Sequence, residues 1–198
     1  LKFSVMNKLA LFSILLLSFH FIVAQKDSLS YEMIDAANAG NLEEIKTLES
    51  KGENILGKDH AGRNLIFHCN SDSLELLDYL LEKGIDMNTV SYYGTNPLMN
   101  ASEYNNIKVV QLLIEKGADV NYKVPEKYPH NSGYSAIHFA IEQGHYDIAK
   151  YLTDMGAEIN VRFSSRDFWP HYTPLLKALH DKEFEFAGQL VEQFASYH

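Results

Sequence analysis

The sequence has few of the residues that would cross-link a fold or bind a polyanion. Cys69 is the single cysteine among 198 residues, and because one cysteine cannot form an internal disulfide, packing alone must stabilise the fold. Basic residues are outnumbered, with 17 lysines and arginines against 26 acidic residues and a net charge of −9. This balance argues against binding to nucleic acid or to an anionic membrane.

Motifs for common chemistry are also missing. The sequence contains no glycine-rich phosphate loop, no nucleophile elbow and no HExxH pair. The motifs that most simply indicate a nucleotide-dependent, hydrolytic or zinc-dependent enzyme are therefore absent from it. Acidic residues are abundant, but their spacing places them on solvated helix faces. We therefore expect a protein without catalytic activity, cofactor or bound metal.

Only one long apolar run is present, and it lies near the start. It extends from Leu9 to Ala24 and follows Met6-Asn7-Lys8, a pattern typical of a secretory signal peptide. The alternative is a membrane anchor, for which the run is short, since a spanning helix needs about 20 residues. We expect residues 1–24 to be removed, with residues 1–5 interpreted as upstream codons. A single domain over residues 25–198 would remain, which we expect to be periplasmic or secreted, bacterial in origin and without stable membrane insertion.

The rest of the chain repeats itself. "NPLMNASEYNNIKVVQLLIEKGADVN", from Asn96, and "SAIHFAIEQGHYDIAKYLTDMGAEIN", from Ser135, share apolar, alanine, turn and glycine positions. Each predicts a short helix, a turn and a longer helix closed by a glycine, which adopts the left-handed conformation without steric cost. The closing glycines are Gly52, Gly84, Gly117 and Gly156, at spacings of 32, 33 and 39 residues.

These units resemble the ankyrin-repeat family. The resemblance rests on the boxes "TPLL" (Thr173–Leu176), "SAIH" (Ser135–His138) and "NPLM" (Asn96–Met99), and on "GADVN" and "GAEIN" after the longer helices. It implies an all-α repeat solenoid with β-hairpin fingers, two of them extended. About five helix pairs are expected, over residues 31–51, 64–83, 96–116, 135–155 and 173–196.

The two end repeats must have polar outer sides, because a repeat buries its apolar face only against a neighbour. We expect the first repeat to present Glu43, Glu44 and Lys46. We expect the last repeat to present Glu185, Gln189, Glu192 and Gln193.

The repeat length changes in two consecutive fingers, "YKVPEKYPHNSG" (Tyr122–Gly133) and "VRFSSRDFWPH" (Val161–His171). Both are rich in aromatic and basic residues, the types enriched at interface hot spots. Either the fingers bind a partner, or their aromatic residues fill a private core. Phe139, expected on the concave face, either contacts a partner or packs beneath a long finger. The predicted contact residues are Tyr92, Tyr93, Lys123, Lys127, Tyr128, His130, Tyr134, Phe139, Arg162, Arg166, Phe168, Trp169 and His171.

The histidines and the cysteine give weak signals for chemistry. The resemblance implies a structural, hydrogen-bonding role for His138. His130 and His171 lie in adjacent fingers, but two histidines without a third ligand are a weak sign of a metal site. Cys69 occupies the position of Ala101, Ala140 and Ala178 in other repeats, which predicts a buried, unreactive side chain.

We therefore expect a monomer that acts outside the cytoplasm and binds another protein, without catalysis, through its concave face and the two long fingers. The partner is expected to carry an acidic patch. An immunity or inhibitor protein that neutralises a toxin is one alternative. A metal-binding or small-ligand-binding protein that uses the finger histidines is the other.

Overall fold

The computed structural model describes residues 28–70, 73–129, 131–158 and 174–196. In these ranges helices follow one another in pairs, as the repeat pattern predicts. The pairs are α1 (Tyr31–Asn38) with α2 (Leu42–Ser50), the 3₁₀ helix η1 (Leu65–His68) with α3 (Leu74–Glu82), α4 (Pro97–Glu103) with α5 (Ile107–Glu115), α6 (Ala136–Gln143) with α7 (Tyr146–Asp154), and α8 (Pro174–His180) with α9 (Phe184–Ser196).

The fingers between the repeats differ from the expectation. The prediction of β-hairpins is not supported, because the described residues contain no β-strand. They hold one isolated bridge, between Ser28 and Lys58. The described fingers are instead closed by short turns, each with a glycine at positive φ, such as Gly62 (76°) and Gly94 (81°).

Polar side chains set where the helices begin. Oδ1 of Asn96 accepts a hydrogen bond from the N–H of Met99 at 2.9 Å, and Pro97 occupies the first turn of α4, where its missing N–H costs nothing. Asn41 and Asn106 cap α2 and α5 in the same way. The closing glycines also behave as predicted, with φ of 97° at Gly117 and 87° at Gly156.

The core runs as a continuous stripe between the two helices of every repeat. Leu76 and Leu77 of α3, Leu113 of α5, and Ile148 of α7 are fully buried, at positions that the 3.6-residue period predicts. Since each repeat contributes a few such residues, the core is completed only by stacking.

Asparagine and histidine side chains tie successive repeats together. Asn121 donates to the carbonyl oxygen of Gly156 at 3.1 Å and accepts from the N–H of Glu158 at 2.8 Å. A ring nitrogen of His145 lies 3.0 Å from the carbonyl oxygen of Glu103. These side chains bind backbone N–H and C=O groups that have no partner within their own turns. They therefore fix neighbouring fingers and turns relative to each other.

The two ends of the stack differ. At the first end, Glu43, Glu44 and Lys46 are exposed, as predicted. At the last end the prediction of a polar side is wrong in part. Glu185 and Glu192 are exposed and Gln189 is half-buried, whereas the side chain of Gln193 lies outside the described residues. The same repeat also exposes Leu176, Leu179, Phe184 and Val191.

Among the residues that the structure describes, none of the helices has the length and apolar character needed to cross a bilayer.

Candidate protein-binding surface

Each described finger has the same base. In the finger before α4, the N–H of Ser91 donates to the carbonyl oxygen of Thr95 at 2.9 Å, and the N–H of Gly94 donates back to that of Ser91 at 3.0 Å. In the extended finger, Val124, Gly133 and Tyr134 make the equivalent bonds at 2.8 and 2.9 Å. The long finger is therefore an ordinary finger with a longer tip.

This common base locates the additional residues. Two residues, 92–93, lie between Ser91 and Gly94, but eight, 125–132, lie between Val124 and Gly133. The difference of six equals the increase in repeat spacing from 33 to 39 residues. The repeat stack itself is unaltered, and the insertion projects from it at one point.

The ring of Tyr92 packs on the finger of the preceding repeat. A Cβ added at Gly62 would lie 2.8 Å from ring carbons of Tyr92, so only glycine leaves room for the ring there. The N–H of Tyr92 also donates to the carbonyl oxygen of Ala61 at 2.8 Å. Tyr92 is thus held by both its ring and its backbone.

The extended finger makes the same kind of contact with Gly94, the glycine of the finger before α4. A Cβ at Gly94 would lie 2.4 Å from Cδ2 of Tyr128, and the hydroxyl of Tyr122 donates to the carbonyl oxygen of Gly94 at 3.2 Å. Tyr128 is half-buried as a result. Part of the inserted segment therefore packs on the neighbouring finger.

Despite these contacts, aromatic surface remains in solvent. Tyr92 is 68% exposed and Tyr93 is 65% exposed, although the N–H of Tyr93 is bound to Oγ of Ser91 at 3.2 Å. Lys127 is exposed, with its ammonium 5.0 Å from the centroid of the Tyr128 ring. We call Tyr92, Tyr93, Lys127 and Tyr128 the finger-tip surface.

The basic character expected of this region is partly cancelled. Nζ of Lys123 forms an ion pair with Oε2 of Glu158 at 2.6 Å, so the charge of Lys123 contributes to the link between repeats. Within the described part of the finger, Lys127 stands beside the exposed carboxylate of Glu126 in sequence. The aromatic rings, rather than a strong positive charge, distinguish this surface.

Two of the predicted contact residues are buried. Tyr134 and Phe139 are 2% and 5% exposed, and their rings meet edge to face with centroids 5.7 Å apart. Tyr134 also stacks on His138 at 5.4 Å. The expected exposure of Phe139 on the concave face is therefore wrong, and the alternative, packing beneath the long finger, holds. Six other predicted residues lie outside the described residues: His130, Arg162, Arg166, Phe168, Trp169 and His171.

The buried polar residues have structural partners. Nδ1 of His138 lies 2.9 Å from Oγ of Ser135 and accepts from the N–H of Ser135 at 3.1 Å, which closes a capping box at the start of α6. Cys69 is buried, as predicted, and burial raises the pKa of its thiol to about 12, which favours the protonated form.

A buried network that the sequence did not reveal lies in the finger before η1, which carries Gly62. Oδ2 of Asp59 is 2.7 Å from Nε of Arg63 and 3.2 Å from Nε2 of His68, while Oδ1 accepts from the N–H groups of Ala61 and Arg63. Burial opposes ionisation of Asp59, but these hydrogen bonds outweigh it and lower its pKa. Burial, followed by the Arg63 charge, lowers the pKa of His68.

The groups bound to Asp59 all belong to the finger that it shapes or to η1. Across the part of the chain that the structure describes, no three histidine, cysteine, aspartate or glutamate side chains are placed to hold a metal ion. Asp59 orders the turn that carries Gly62 by accepting hydrogen bonds from Ala61 and Arg63. The network therefore also fixes the glycine against which the ring of Tyr92 packs.

Comparison with known proteins agrees with this architecture. The family model described as "Ankyrin repeats (3 copies)" matches residues 33–124, and the model described as "Ankyrin repeats (many copies)" matches residues 98–153. Together they cover more than half of the chain.

Relatives with the same repeats occur in animals and viruses. A mouse protein named B-cell lymphoma 3 protein homolog is 30% identical over 147 residues, covering 74% of this chain and 28% of its own. A nematode protein named Ankyrin repeat and KH domain-containing protein mask-1 is 30% identical over 126 residues, 64% of this chain and 4% of its own. A fowlpox virus protein named Putative ankyrin repeat protein FPV244 is 32% identical over 114 residues, 58% of this chain and 15% of its own. This chain therefore spans less than a third of each of these relatives, and it belongs to the ankyrin-repeat family.

Proposed function

We propose that this protein binds another protein through the finger-tip surface, without catalysing a reaction. Ankyrin repeats are protein-interaction modules, and no enzyme family matches this chain. The observation that carries the proposal is a pair of exposed tyrosines, Tyr92 and Tyr93. They lie at the tip of the finger before α4, which we call the third finger because α4 opens the third helix pair. Tyr92 is held there on Gly62, where the ring would collide with any larger residue.

The fixed position of Tyr92 favours binding, because the entropy that mobile side chains lose in a complex opposes association. Each mobile side chain that a complex immobilises costs about 0.5–1.5 kcal/mol. Tyr92 has lost much of that freedom before any partner arrives, since its N–H is bound to Ala61 and its ring rests on Gly62. Tyrosine also presents a large apolar ring with a polar hydroxyl, which explains its enrichment at the centres of interfaces.

The chemistry of this surface describes the partner. Two exposed tyrosine rings fit an apolar knob or groove with hydrogen-bonding groups at its edge. Lys127, which stands over Tyr128, favours a carboxylate on the partner at the side of the extended finger. Arg162 and Arg166 of the next finger, outside the described residues, would extend that preference and steer the partner's acidic patch.

We also propose that the protein acts outside the cytoplasm. The support is the sequence of residues 1–24, with its basic start and apolar run. The mass of the protein recovered from the medium or the envelope of expressing cells tests this proposal. A chain that begins near Gln25 agrees with it, and an unprocessed chain that stays inside the cells contradicts it.

Affinity capture tests the binding proposal. The protein produced from the full sequence serves as bait for extracts of its source, beside a Tyr92→Ser, Tyr93→Ser variant. The matched control is Tyr104→Ser, which removes an aromatic residue that is 60% exposed in the turn between α4 and α5. We expect one protein that the original chain and the control retain and the double variant loses. Equal retention by all three would place binding elsewhere.

A second variant separates the two fingers. Removing residues 126–131 restores the two-residue tip of the shorter finger, and the bonds between Val124, Gly133 and Tyr134 remain available to close it. Loss of the same partner would assign the extended finger to the interface. Retention, together with loss in the tyrosine variant, would confine the interface to the third finger.

A further inference from the structure

The finger before η1 is ordered by a charged side chain, whereas the third finger uses a neutral one for the same task. Oδ1 of Asp59 accepts hydrogen bonds from the N–H groups of Ala61 and Arg63 at 2.8 and 2.9 Å. At the equivalent position 32 residues later, Oγ of Ser91 accepts from the N–H groups two and four residues further on, at 3.2 and 3.3 Å. A hydroxyl therefore orders such a turn as well, and the turn itself does not require the charge of Asp59.

The charge of Asp59 has a buried partner that can titrate. Oδ2 of Asp59 lies 2.7 Å from Nε of Arg63 and 3.2 Å from Nε2 of His68, so two donors share one oxygen. The side chain of His68 is only 7% exposed. In the third repeat the position of His68 is occupied by Asn100, whose amide carries no titratable proton. The ionisable pair thus replaces a neutral pair that serves the neighbouring finger.

Few other charges act on His68. Those of Arg63 and His60, in the same finger, disfavour its protonated form, and that of Asp59 favours it. Helices α1, α3 and α4 also contact η1, but among the described residues none of their charged side chains lies within ion-pair distance of His68. Those side chains are Glu32, Asp35, Glu75, Asp78, Glu82 and Glu103. Protonation of His68 is therefore governed by its burial and by its own finger.

Protonation of His68 would give this buried cluster an excess positive charge. At neutral pH the carboxylate of Asp59 balances the guanidinium of Arg63. Burial, followed by the Arg63 charge, lowers the pKa of His68 in spite of the nearby carboxylate. The folded finger therefore favours the neutral ring. The stability that results is present at neutral pH, and it is lost as the pH falls below the ordinary value of about 6.5 toward the lowered pKa.

Tyr92 is connected to this cluster through the turn. The N–H of Ala61 binds Asp59, and the carbonyl oxygen of Ala61 accepts from the N–H of Tyr92 at 2.8 Å. The ring of Tyr92 packs on Gly62, the next residue. The turn can move more easily than η1, because the side chain of Arg63 is 30% exposed whereas all four residues of η1 are buried. A movement of the turn that admits water to the cluster would disturb both contacts of Tyr92.

We propose that protonation of His68 releases Tyr92 from the finger before η1, so that a moderate fall in pH loosens the finger-tip surface. At neutral pH the ring of Tyr92 is fixed on Gly62, and at lower pH it becomes mobile. The consequence for binding rests on the proposed function. A partner that uses the fixed ring is held at neutral pH and released in a more acidic medium, because ordering the ring again then opposes association.

NMR spectroscopy of the full-sequence protein, with ¹³C-labelled glycine and tyrosine, measures this release. Between about pH 8 and 4.5, we expect the NOE between the Tyr92 ring and the Hα protons of Gly62 to fall by about half or more, with one midpoint below 6.5. The contact of Tyr128 with Gly94 is the internal control. It should keep its intensity, because Ser91 rather than an ionisable residue orders its turn. The measurement needs no partner, so its result is independent of the proposed function.

Two variants separate the titration of His68 from general unfolding in acid. His68→Asn introduces the residue of the next repeat and removes the titrating ring. The combination of Asp59→Ser, Arg63→Thr and His68→Asn introduces the whole neutral set of the third finger, and it keeps the test valid if the single variant misfolds. We expect both variants to retain the contact of Tyr92 with Gly62 down to pH 4.5. Persistence of this contact in the original chain, its equal loss in the original chain and the variants, or parallel loss of the Gly94 contact would each overturn the proposal.

Discussion

Replacing Gly94 with alanine tests the packing that holds the finger-tip surface in place. Gly94 has a φ of 81°, and a Cβ there would lie 2.4 Å from Cδ2 of Tyr128. The substitution therefore imposes two costs, a strained backbone and the displacement of a ring. Gly117 is the matched control, because its φ is 97° and a Cβ there meets nothing within 4 Å.

The two costs can be estimated separately. An alanine in the left-handed region costs about 1 kcal/mol relative to glycine, and Gly117→Ala should show this cost alone. Tyr128 is half-buried, and full burial of a large apolar side chain contributes about 1.5–3 kcal/mol. Displacing its ring should therefore cost about 1 kcal/mol more. For a chain of this size, 1 kcal/mol corresponds to roughly 2–4 °C in melting temperature.

Thermal and urea unfolding of five proteins completes the test: the original chain, Gly94→Ala, Gly117→Ala, Tyr128→Ala, and Gly94→Ala combined with Tyr128→Ala. We expect a fall in melting temperature of about 3 °C for Gly117→Ala and about 6 °C for Gly94→Ala. In the Tyr128→Ala background, Gly94→Ala should cost no more than Gly117→Ala does. Equal losses for the two glycines in the original chain would refute the stacking of Tyr128 on Gly94.

Three further predictions concern other parts of the stack. Asn121→Ala should lower the free energy of unfolding by about 1–2 kcal/mol in urea titrations, because the carbonyl oxygen of Gly156 and the N–H of Glu158 lose their partner. Burial and the Arg63 charge lower the pKa of His68, so the unfolded chain binds a proton more readily as the pH falls below about 6.5. The free energy of unfolding should therefore fall as the pH falls through that range, and it should fall less in His68→Gln. Urea midpoints at pH 7.5 and 5.5 measure the change in both proteins, and an equal change in the two would contradict the prediction. Cys69, with its pKa raised to about 12 by burial, should react with a thiol reagent at pH 8 only as fast as the protein unfolds; rapid labelling of the native protein would show the thiol to be accessible.

The sequence was sufficient to predict the stack. Its signals are local: a capping asparagine before Pro97, an apolar period of 3.6 residues along α5, and a glycine after the helix at Gly117. Each follows from backbone geometry that the residues within one repeat determine, and recurrence along the chain then implies stacking. The helix pairs accordingly appear within a few residues of the predicted bounds.

The finger-tip surface could be predicted only in part. Tyr92, Tyr93 and Tyr128 were identified because aromatic residues in a polar loop are unusual. That Tyr128 rests on Gly94, and that Phe139 is covered by Tyr134, depends on residues in different repeats, which no local pattern relates. The β-hairpins implied by the family resemblance were not found in the described fingers. Each of these fingers is instead closed by a turn that contains a glycine at positive φ. The prediction for the last end named only polar residues, and it overlooked the apolar Leu176, Leu179, Phe184 and Val191, which the same repeat also exposes.

The affinity of the captured partner for the tyrosine variants tests the central claim most directly. Isothermal titration calorimetry would compare the original chain with Tyr92→Ala, Tyr93→Ala and the control Tyr104→Ala. Truncation of a hot-spot residue costs about 2 kcal/mol or more, or roughly thirtyfold in the dissociation constant. We expect at least one finger-tip substitution to reach that loss while Tyr104→Ala stays within about twofold of the original chain. Unchanged affinity in both finger-tip variants would show that the exposed rings of the third finger do not carry the interaction.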